Sequence, residues 1–174
     1  MNSLAENPPQ GEAYELAFYG GSFTAIPEAQ QLRFLEAARR AADRGAVSSI
    51  RLSTRPDAVT KEILERLKRY GVGTVELGAQ SMQDPVLLTA GRGHSAEDVR
   101  RASALIRQAG LSLVLQMMTG LPGDDDDGAV DTARQLIALQ PDAVRTIPRS
   151  SYEGLNWNGA GVAVTIWSIR WRTR

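Results

Sequence analysis

Residues 15–24 of the sequence read ELAFYGGSFT, an apolar strand that runs directly into two glycines and a serine. Glycine has no Cβ, so the backbone N–H and C=O groups of Gly20 and Gly21 can approach a ligand closely. Downstream of this stretch, the same layout of a strand followed by small residues occurs three more times. The repetition predicts a ligand that lies across several strand ends.

Strand-like and helix-like segments alternate along residues 15–148, at a spacing of roughly thirty residues. The strand-like segments are residues 15–19, 47–52, 72–77, 111–117 and 142–147. Parallel strands need helical crossovers, so the alternation predicts an α/β fold, either a doubly wound sheet or a (β/α) barrel. Both architectures place their ligands at the carboxyl ends of the strands.

Helix boundaries and domain limits follow from local signals. Asp57 and Ser95 stand where helix N-caps are expected, and an aspartate run precedes the last helix. Residues 1–14 contain proline and glycine and are typical of a loop or a truncated linker. Residues 15–148 form one predicted core, and residues 149–174 show no clean helical or strand period, which predicts an irregular tail.

Composition excludes several classes of protein. The chain has 174 residues, 20 acidic side chains against 20 basic ones, and no cysteine. The balanced charge gives no support for binding to nucleic acid or to a membrane surface. No apolar run reaches the ~18 residues that a membrane span requires. Without cysteine the chain can form no disulfide and no thiolate-bound cluster, which favours a cytoplasmic location.

The first two strand ends carry candidate binding groups. Gly20, Gly21 and Ser22 could receive a cationic or amino group of a ligand, or could simply form a tight turn. Ser53 and Arg55 follow the second strand. Arginine presents a planar fork of donors that suits a carboxylate, although pairing with a neighbouring acidic residue is an equally good interpretation.

The third and fourth strand ends carry amide groups, glycines and one arginine. Gln80 offers both a donor and an acceptor, as recognition of ribose hydroxyls requires. Arg92, between two glycines, is a stronger candidate than His94, which we expect to bond to the backbone at a helix entry. Gln116 precedes Gly120-Leu121-Pro122, where an interrupted strand could expose backbone groups to an adenine edge.

Five stretches together resemble the radical S-adenosylmethionine (radical SAM) superfamily, and most closely the radical SAM domain of the Elongator catalytic subunit and its bacterial stand-alone relatives. They read ELAFYGGSFT, IRLSTRPD, VELGAQSM, GRGHSAEDV and QMMTGLPGD and span roughly residues 15–145. The resemblance implies an incomplete, open (β/α)6 TIM-like barrel with about five parallel strands. It also implies an enzyme whose 4Fe–4S cluster cleaves S-adenosylmethionine (SAM) to a 5′-deoxyadenosyl radical.

The resemblance also implies roles for individual residues. The glycine pair and Ser22 match the stretch that holds the methionine amino group, and Ser53 with Arg55 lies where methionine or ribose is contacted. Gln80 matches a ribose contact and Arg92 a carboxylate-binding arginine. The residues that match the adenine wall are Gln116, Gly120, Leu121 and Pro122.

The sequence departs from the family pattern in two places. Members carry Cys-x-x-x-Cys-x-x-Cys after a first strand, and this chain has neither that strand before Glu15 nor any cysteine. We therefore expect a truncated core that is inactive on its own. From about residue 146 the amino-acid sequence no longer follows the family pattern. When this segment is back-translated into codons and read in a different reading frame, the result resembles the expected continuation of the family. This predicts a frameshifted tail.

The sequence suggests possible partners and leaves two alternative functions to consider. Transfer RNA is a substrate suggested by the resemblance alone. A barrel that lacks its first strand would have an unpaired edge, which favours self-association. The alternatives are an ordinary (β/α)-barrel enzyme that needs no cluster and a non-catalytic SAM-binding module. The first would require a strand-end lysine or a carboxylate–histidine pair, and the pattern shows neither.

Overall fold

A computed structural model describes residues 14–149 and the backbone of residues 163–168, and it contains one six-stranded sheet. The strands are β1 (Tyr14–Tyr19), β2 (Ser49–Thr54), β3 (Val72–Gln80), β4 (Ser112–Thr119), β5 (Ala143–Pro148) and β6 (Ala163–Ser168). Their spatial order is β5-β4-β3-β2-β1-β6. The first five are parallel and curl into a half-barrel, which confirms the predicted incomplete barrel with about five parallel strands.

The outer edge of β1 was expected to be unpaired, and the structure shows a strand paired with it. The tail was predicted to be irregular, yet β6 pairs antiparallel with β1 from Tyr14↔Ser168 to Tyr19↔Ala163. The predicted unpaired edge at β1 is therefore wrong, because a strand from the tail occupies it. The predictions for residues 1–13, and for the tail outside 163–168, concern residues that lie outside the described ones, and the frameshift stays a prediction.

Five helices connect the parallel strands. They are α1 (Glu28–Asp43), α2 (Lys61–Arg69), α3 (Asp84–Thr89), α4 (Ala96–Gln108) and α5 (Asp126–Ala138). Ser95 caps α4 as predicted, in a reciprocal capping box with Asp98. The cap predicted at Asp57 is wrong, because Asp57 lies in a short 3₁₀ turn and Thr60 caps α2. None of the helices in residues 14–149 has the length and apolar composition of a membrane span.

The two faces of the sheet receive alternate residues of each strand. Leu52, Leu77 and Leu115 point to the face covered by the helices, and each is fully buried. The concave face carries small and polar residues instead. On it, Gly78 of β3 pairs in register with Gln116 of β4. This concave face is where the strand ends converge.

Candidate functional site

An open cavity of about 1250 Å³ occupies the concave face of the half-barrel. All five parallel strands and the loop between α3 and α4 contribute to its wall. Carboxyl-terminal strand ends are the usual ligand-binding position in α/β proteins. The cavity is therefore the leading candidate site among the described residues.

Eight of the eleven residues predicted from sequence line this cavity. They are Gly20, Gly21, Ser22, Ser53, Arg55, Gln80, Arg92 and Gln116. They come from five separate parts of the chain, so the fold brings together residues that the sequence holds up to about a hundred positions apart.

The other three predicted residues are not part of the cavity wall. Gly120, Leu121 and Pro122 follow β4, and Met118 is the last residue of that strand to line the cavity. The chain turns at Gly120 with a φ of 74°, a left-handed conformation that glycine adopts easily. Leu121 is then buried, with only 5% of its surface exposed.

Arg92 has no carboxylate partner among the described residues. Its Nη2 group donates to the Met118 sulfur at 3.0 Å, and its Nε is buried without a hydrogen-bond partner. Burial lowers the pKa of this guanidinium from its ordinary value. A thioether is a weak acceptor, so Arg92 is a half-buried cation that lacks a counter-charge. An acidic ligand group would supply one.

Arg55 shows the opposite behaviour at the same cavity. Its Nε donates to Asp57 at 2.7 Å and its Nη2 donates to the Gly93 carbonyl at 3.2 Å. A Cβ at position 93 would meet the Arg55 guanidinium, so a side chain there would displace the end of Arg55 from this contact. Arg55 is thus a paired arginine that holds the loop carrying Arg92.

The amide groups of β3 and β4 form a linked pair. Gln80 has a φ of 67°, which is unusual for a residue with a side chain, and it follows a register shift after Gly78. Gln116 Nε2 donates to Gln80 Oε1 at 3.3 Å. His94 Nε2 lies 3.1 Å from the Ala79 carbonyl oxygen, which confirms the predicted backbone bond. The strained backbone at Gln80 directs its amide into the cavity.

A charged cluster at the cavity wall was not predicted as part of the site. Glu76 is fully buried, and its Oε2 accepts from Tyr19 Oη at 3.0 Å and Arg51 Nη2 at 3.2 Å. Arg145 Nη1 lies 3.3 Å from Glu76 Oε1, and Arg51 Nη1 lies 3.4 Å from Glu15 Oε2. Two arginines therefore balance the charge of the buried Glu76 carboxylate.

Period-two alternation was the signal that could have found this cluster. Glu15 and Tyr19 share one face of β1, and Arg51 with Ser53 shares one face of β2. Charged residues at alternate strand positions indicate a polar inner wall. Burial, followed by the Glu76 charge, raises the pKa of Tyr19 above its model-peptide value of 10.0. The phenol is therefore a neutral donor at physiological pH.

The described part of the chain offers no set of ligands for an iron–sulfur cluster. It contains no cysteine, and within the described residues no group of three histidine or acidic side chains is placed to hold a metal ion. The aspartate run before α5 is explained by helix capping, since Asp125 accepts from the Gly128 N–H at 2.7 Å. The residues present therefore do not fit a cluster.

The sequence profile of the radical SAM superfamily matches residues 3–136. The chain belongs to this superfamily. It is 32% identical over 106 residues to a tRNA uridine(34) acetyltransferase of Dehalococcoides mccartyi, covering 59% of this chain and 23% of that protein. It is 36% identical over 73 residues to Elongator complex protein 3 of Saccharomyces cerevisiae, covering 42% and 13%.

A solved archaeal structure matches the fold of this chain. The archaeal Methanocaldococcus infernus Elp3 with an N-terminal deletion superposes with a TM-score of 0.70 at 26% identity. The match covers 77% of this chain and 36% of that one. The chain thus spans well under half the length of these relatives. The comparisons confirm the family and the likeness to the Elongator subunit.

Proposed function

We propose that the cavity binds SAM, with Arg92 receiving the methionine carboxylate. The observation that carries this proposal is the half-buried Arg92 guanidinium, which has no counter-charge among the described residues and an Nε without a partner. A carboxylate suits the planar donors of arginine, and a charge-assisted bond is stronger where water is partly excluded.

The rest of the cavity supports the same ligand. Ser22 and the carbonyls exposed by the glycine pair suit the amino group, because they are acceptors at the end of β1. Ser53 and Gln80 suit the ribose hydroxyls. Gln116 and the soft Met118 side chain, both at the wall, suit the adenine. Gly120, Leu121 and Pro122 lie away from the wall and take no part in this proposal.

The radical chemistry belongs to the larger proteins that this chain resembles. In a protein that holds a reduced cluster, bound SAM would supply a 5′-deoxyadenosyl radical to the reaction. This chain binds and orients SAM but does not cleave it reductively by itself, because it carries no thiolate for the cluster. Anaerobic reconstitution with iron and sulfide should leave no stoichiometric iron on the purified chain. Four tightly bound irons per chain would overturn this part of the proposal.

A tRNA nucleoside is the substrate class that we propose for the complete protein, acting in the cytoplasm. The support is the likeness to a tRNA uridine(34) acetyltransferase. The 20 acidic and 20 basic side chains give this chain no net charge. We therefore assign tRNA binding to other parts of such a protein, and expect no measurable affinity of this chain for tRNA at physiological salt.

Calorimetry with S-adenosylhomocysteine tests the SAM assignment without a cluster. The wild-type chain should bind this stable analogue with a submillimolar dissociation constant, and Arg92→Gln should weaken binding at least about tenfold. Arg134→Gln is the matched control, because Arg134 is exposed on α5 and is not part of the cavity wall. Absence of binding to the wild type, or equal binding by Arg92→Gln, would contradict the proposal.

The alternative of a cluster-free barrel enzyme gains no support from the structure. Both lysines lie on α2, where Lys68 donates to the Ala109 carbonyl. His94 Nε2 contacts the Ala79 carbonyl, and no carboxylate among the described residues makes a hydrogen bond or ion pair with His94. The non-catalytic SAM-binding module remains compatible with the chain, and the reconstitution experiment distinguishes it from a chain that holds a cluster.

A further inference from the structure

Arg145 lies in the same cavity as Arg92 but at a different depth. Arg145 pairs in register with Gln116 on β4, whereas Arg92 contacts Met118, two residues further along that strand. Strand residues rise about 3.3 Å each, so these two positions on β4 lie about 7 Å apart along the strand. The two arginines therefore approach the cavity at different levels of its wall.

The Arg145 guanidinium is held loosely and faces the cavity. Its side chain is 48% exposed, and its contact with Glu76 Oε1 at 3.3 Å lacks hydrogen-bond alignment, since that oxygen has no hydrogen-bond partner. Glu76 is already engaged through its other oxygen by Tyr19 and Arg51. Among the described residues, no acceptor makes a well-aligned hydrogen bond with Arg145. Most of its five N–H donors are thus available to a ligand.

The surroundings nevertheless fix the direction of this group. The guanidinium carbon of Arg145 lies 5.7 Å from the centroid of the Tyr19 ring, within the range of a cation–π contact. The Tyr19 hydroxyl is anchored on Glu76, so the ring forms a fixed support. A positioned guanidinium with free donors is the arrangement that binds carboxylate or phosphate oxygens.

Charge balance favours an acidic second ligand. Four arginines line the cavity, and the carboxylates of Glu15, Asp57 and Glu76 lie in ion-pair contact with all of them except Arg92. SAM carries one carboxylate, one ammonium and one sulfonium, so it adds a net positive charge to a site that already has a surplus. A negatively charged co-substrate would offset that surplus.

We propose that Arg145, supported by Tyr19, forms a second oxyanion-binding position that takes a carboxylate or phosphate group of a co-substrate. This inference rests on the proposed function, because it takes SAM to occupy the Arg92 end of the cavity. Carboxylate and phosphate share the oxygen geometry that arginine recognises.

Nuclear magnetic resonance on the full chain can read the two positions separately. Ring signals of Tyr19 report on Arg145, and the methyl signal of Met118 reports on Arg92. Inorganic phosphate and succinate are the two probes, each titrated with and without saturating S-adenosylhomocysteine. We expect at least one probe to shift the Tyr19 signals to saturation in both conditions. The stronger of the two probes identifies the chemical class.

Variants assign the response to Arg145. Arg145→Gln should weaken the Tyr19 response at least about tenfold, while Arg145→Lys retains part of it and keeps the charge beside Glu76. The exposed control Arg134→Gln should retain the Tyr19 response. The inference would be overturned if neither probe shifted the Tyr19 ring signals of the wild-type chain, or if the shift persisted in Arg145→Gln.

The same titrations separate this inference from the SAM assignment. If S-adenosylhomocysteine leaves the Met118 methyl unchanged while a probe still shifts Tyr19, the SAM assignment fails and the anion position is supported. If the analogue shifts Met118 while neither probe shifts Tyr19, the SAM assignment is supported and the anion position is overturned.

Discussion

The two faces of the parallel sheet come from alternate residues of the same strands, yet they differ in chemistry. On β3, Leu77 packs under the helices with no exposed surface, whereas its neighbours Glu76 and Gly78 belong to the concave side. The helix-covered face is a continuous apolar core. The concave face holds arginines, amides and small residues around an open cavity.

This difference indicates that alternate residues of each strand have separate roles, one set in stability and the other in ligand binding. Burial of apolar side chains stabilises the fold, and the strands that carry it hold polar groups in fixed positions on the opposite face. Arg92 and Arg55 show the same division within the site. Arg55 donates hydrogen bonds to Asp57 and to the Gly93 carbonyl, whereas Arg92 has no counter-charge among the described residues.

The largest effect should come from the helix-covered face. Leu77→Ala should lower the free energy of unfolding by about 2–5 kcal/mol, because it leaves a cavity in a fully buried core. Gln116→Ala, on the adjacent strand but facing the open cavity, should cost less than about 1 kcal/mol. Urea unfolding followed by circular dichroism measures both. Equal costs for the two variants would break the comparison between the faces.

Glu76 should be an exception on the concave face. Glu76→Gln keeps the shape but removes the charge that Arg51 and Arg145 share, so we expect a loss of about 2 kcal/mol. The same unfolding assay measures this loss, with Glu36→Gln on the exposed side of α1 as the matched control. A Glu76→Gln chain as stable as the wild type would show that the charged cluster does not stabilise the fold.

The smallest effect concerns Tyr19 at alkaline pH. Burial and the Glu76 charge raise the pKa of this phenol above 10.0, so the folded chain keeps its proton when the unfolded chain has lost it. The unfolding free energy should therefore fall as pH rises from about 10. Tyr19→Phe should remove that part of the slope, whereas Tyr70→Phe should retain it. An identical pH dependence in wild type and Tyr19→Phe would contradict the assignment.

Much of the fold could be predicted from the sequence, because helical and strand periodicities alternate along it and because glycines and N-cap residues mark where the elements end and begin. All five parallel strands were predicted, and Ser95 was predicted as a cap. The cap at Thr60 was missed because Asp57, three residues earlier, is also a residue type that is typical of an N-cap. In the structure Asp57 lies in a 3₁₀ turn, and the helix begins after Thr60. Strand β6 was missed because its pairing with β1 spans more than 140 residues.

The candidate site was predictable where residues follow a strand and hidden where they lie within one. Gly20, Gln80 and Arg92 stand beside turn signals that mark strand ends. Arg51 and Arg145 lie inside strands, where a charge is equally typical of a solvent-exposed face. Curvature of the sheet turns that face into a cavity wall, and curvature is set by the packing of the whole sheet rather than by local sequence.

A crystal structure of the chain with S-adenosylhomocysteine tests the central claim most directly. The account predicts the ligand in the concave cavity, with its methionine carboxylate within hydrogen-bond distance of the Arg92 guanidinium and its ribose near Gln80. Density for the analogue on the helix-covered side, or a carboxylate held elsewhere while Arg92 still contacts only the Met118 sulfur, would contradict it.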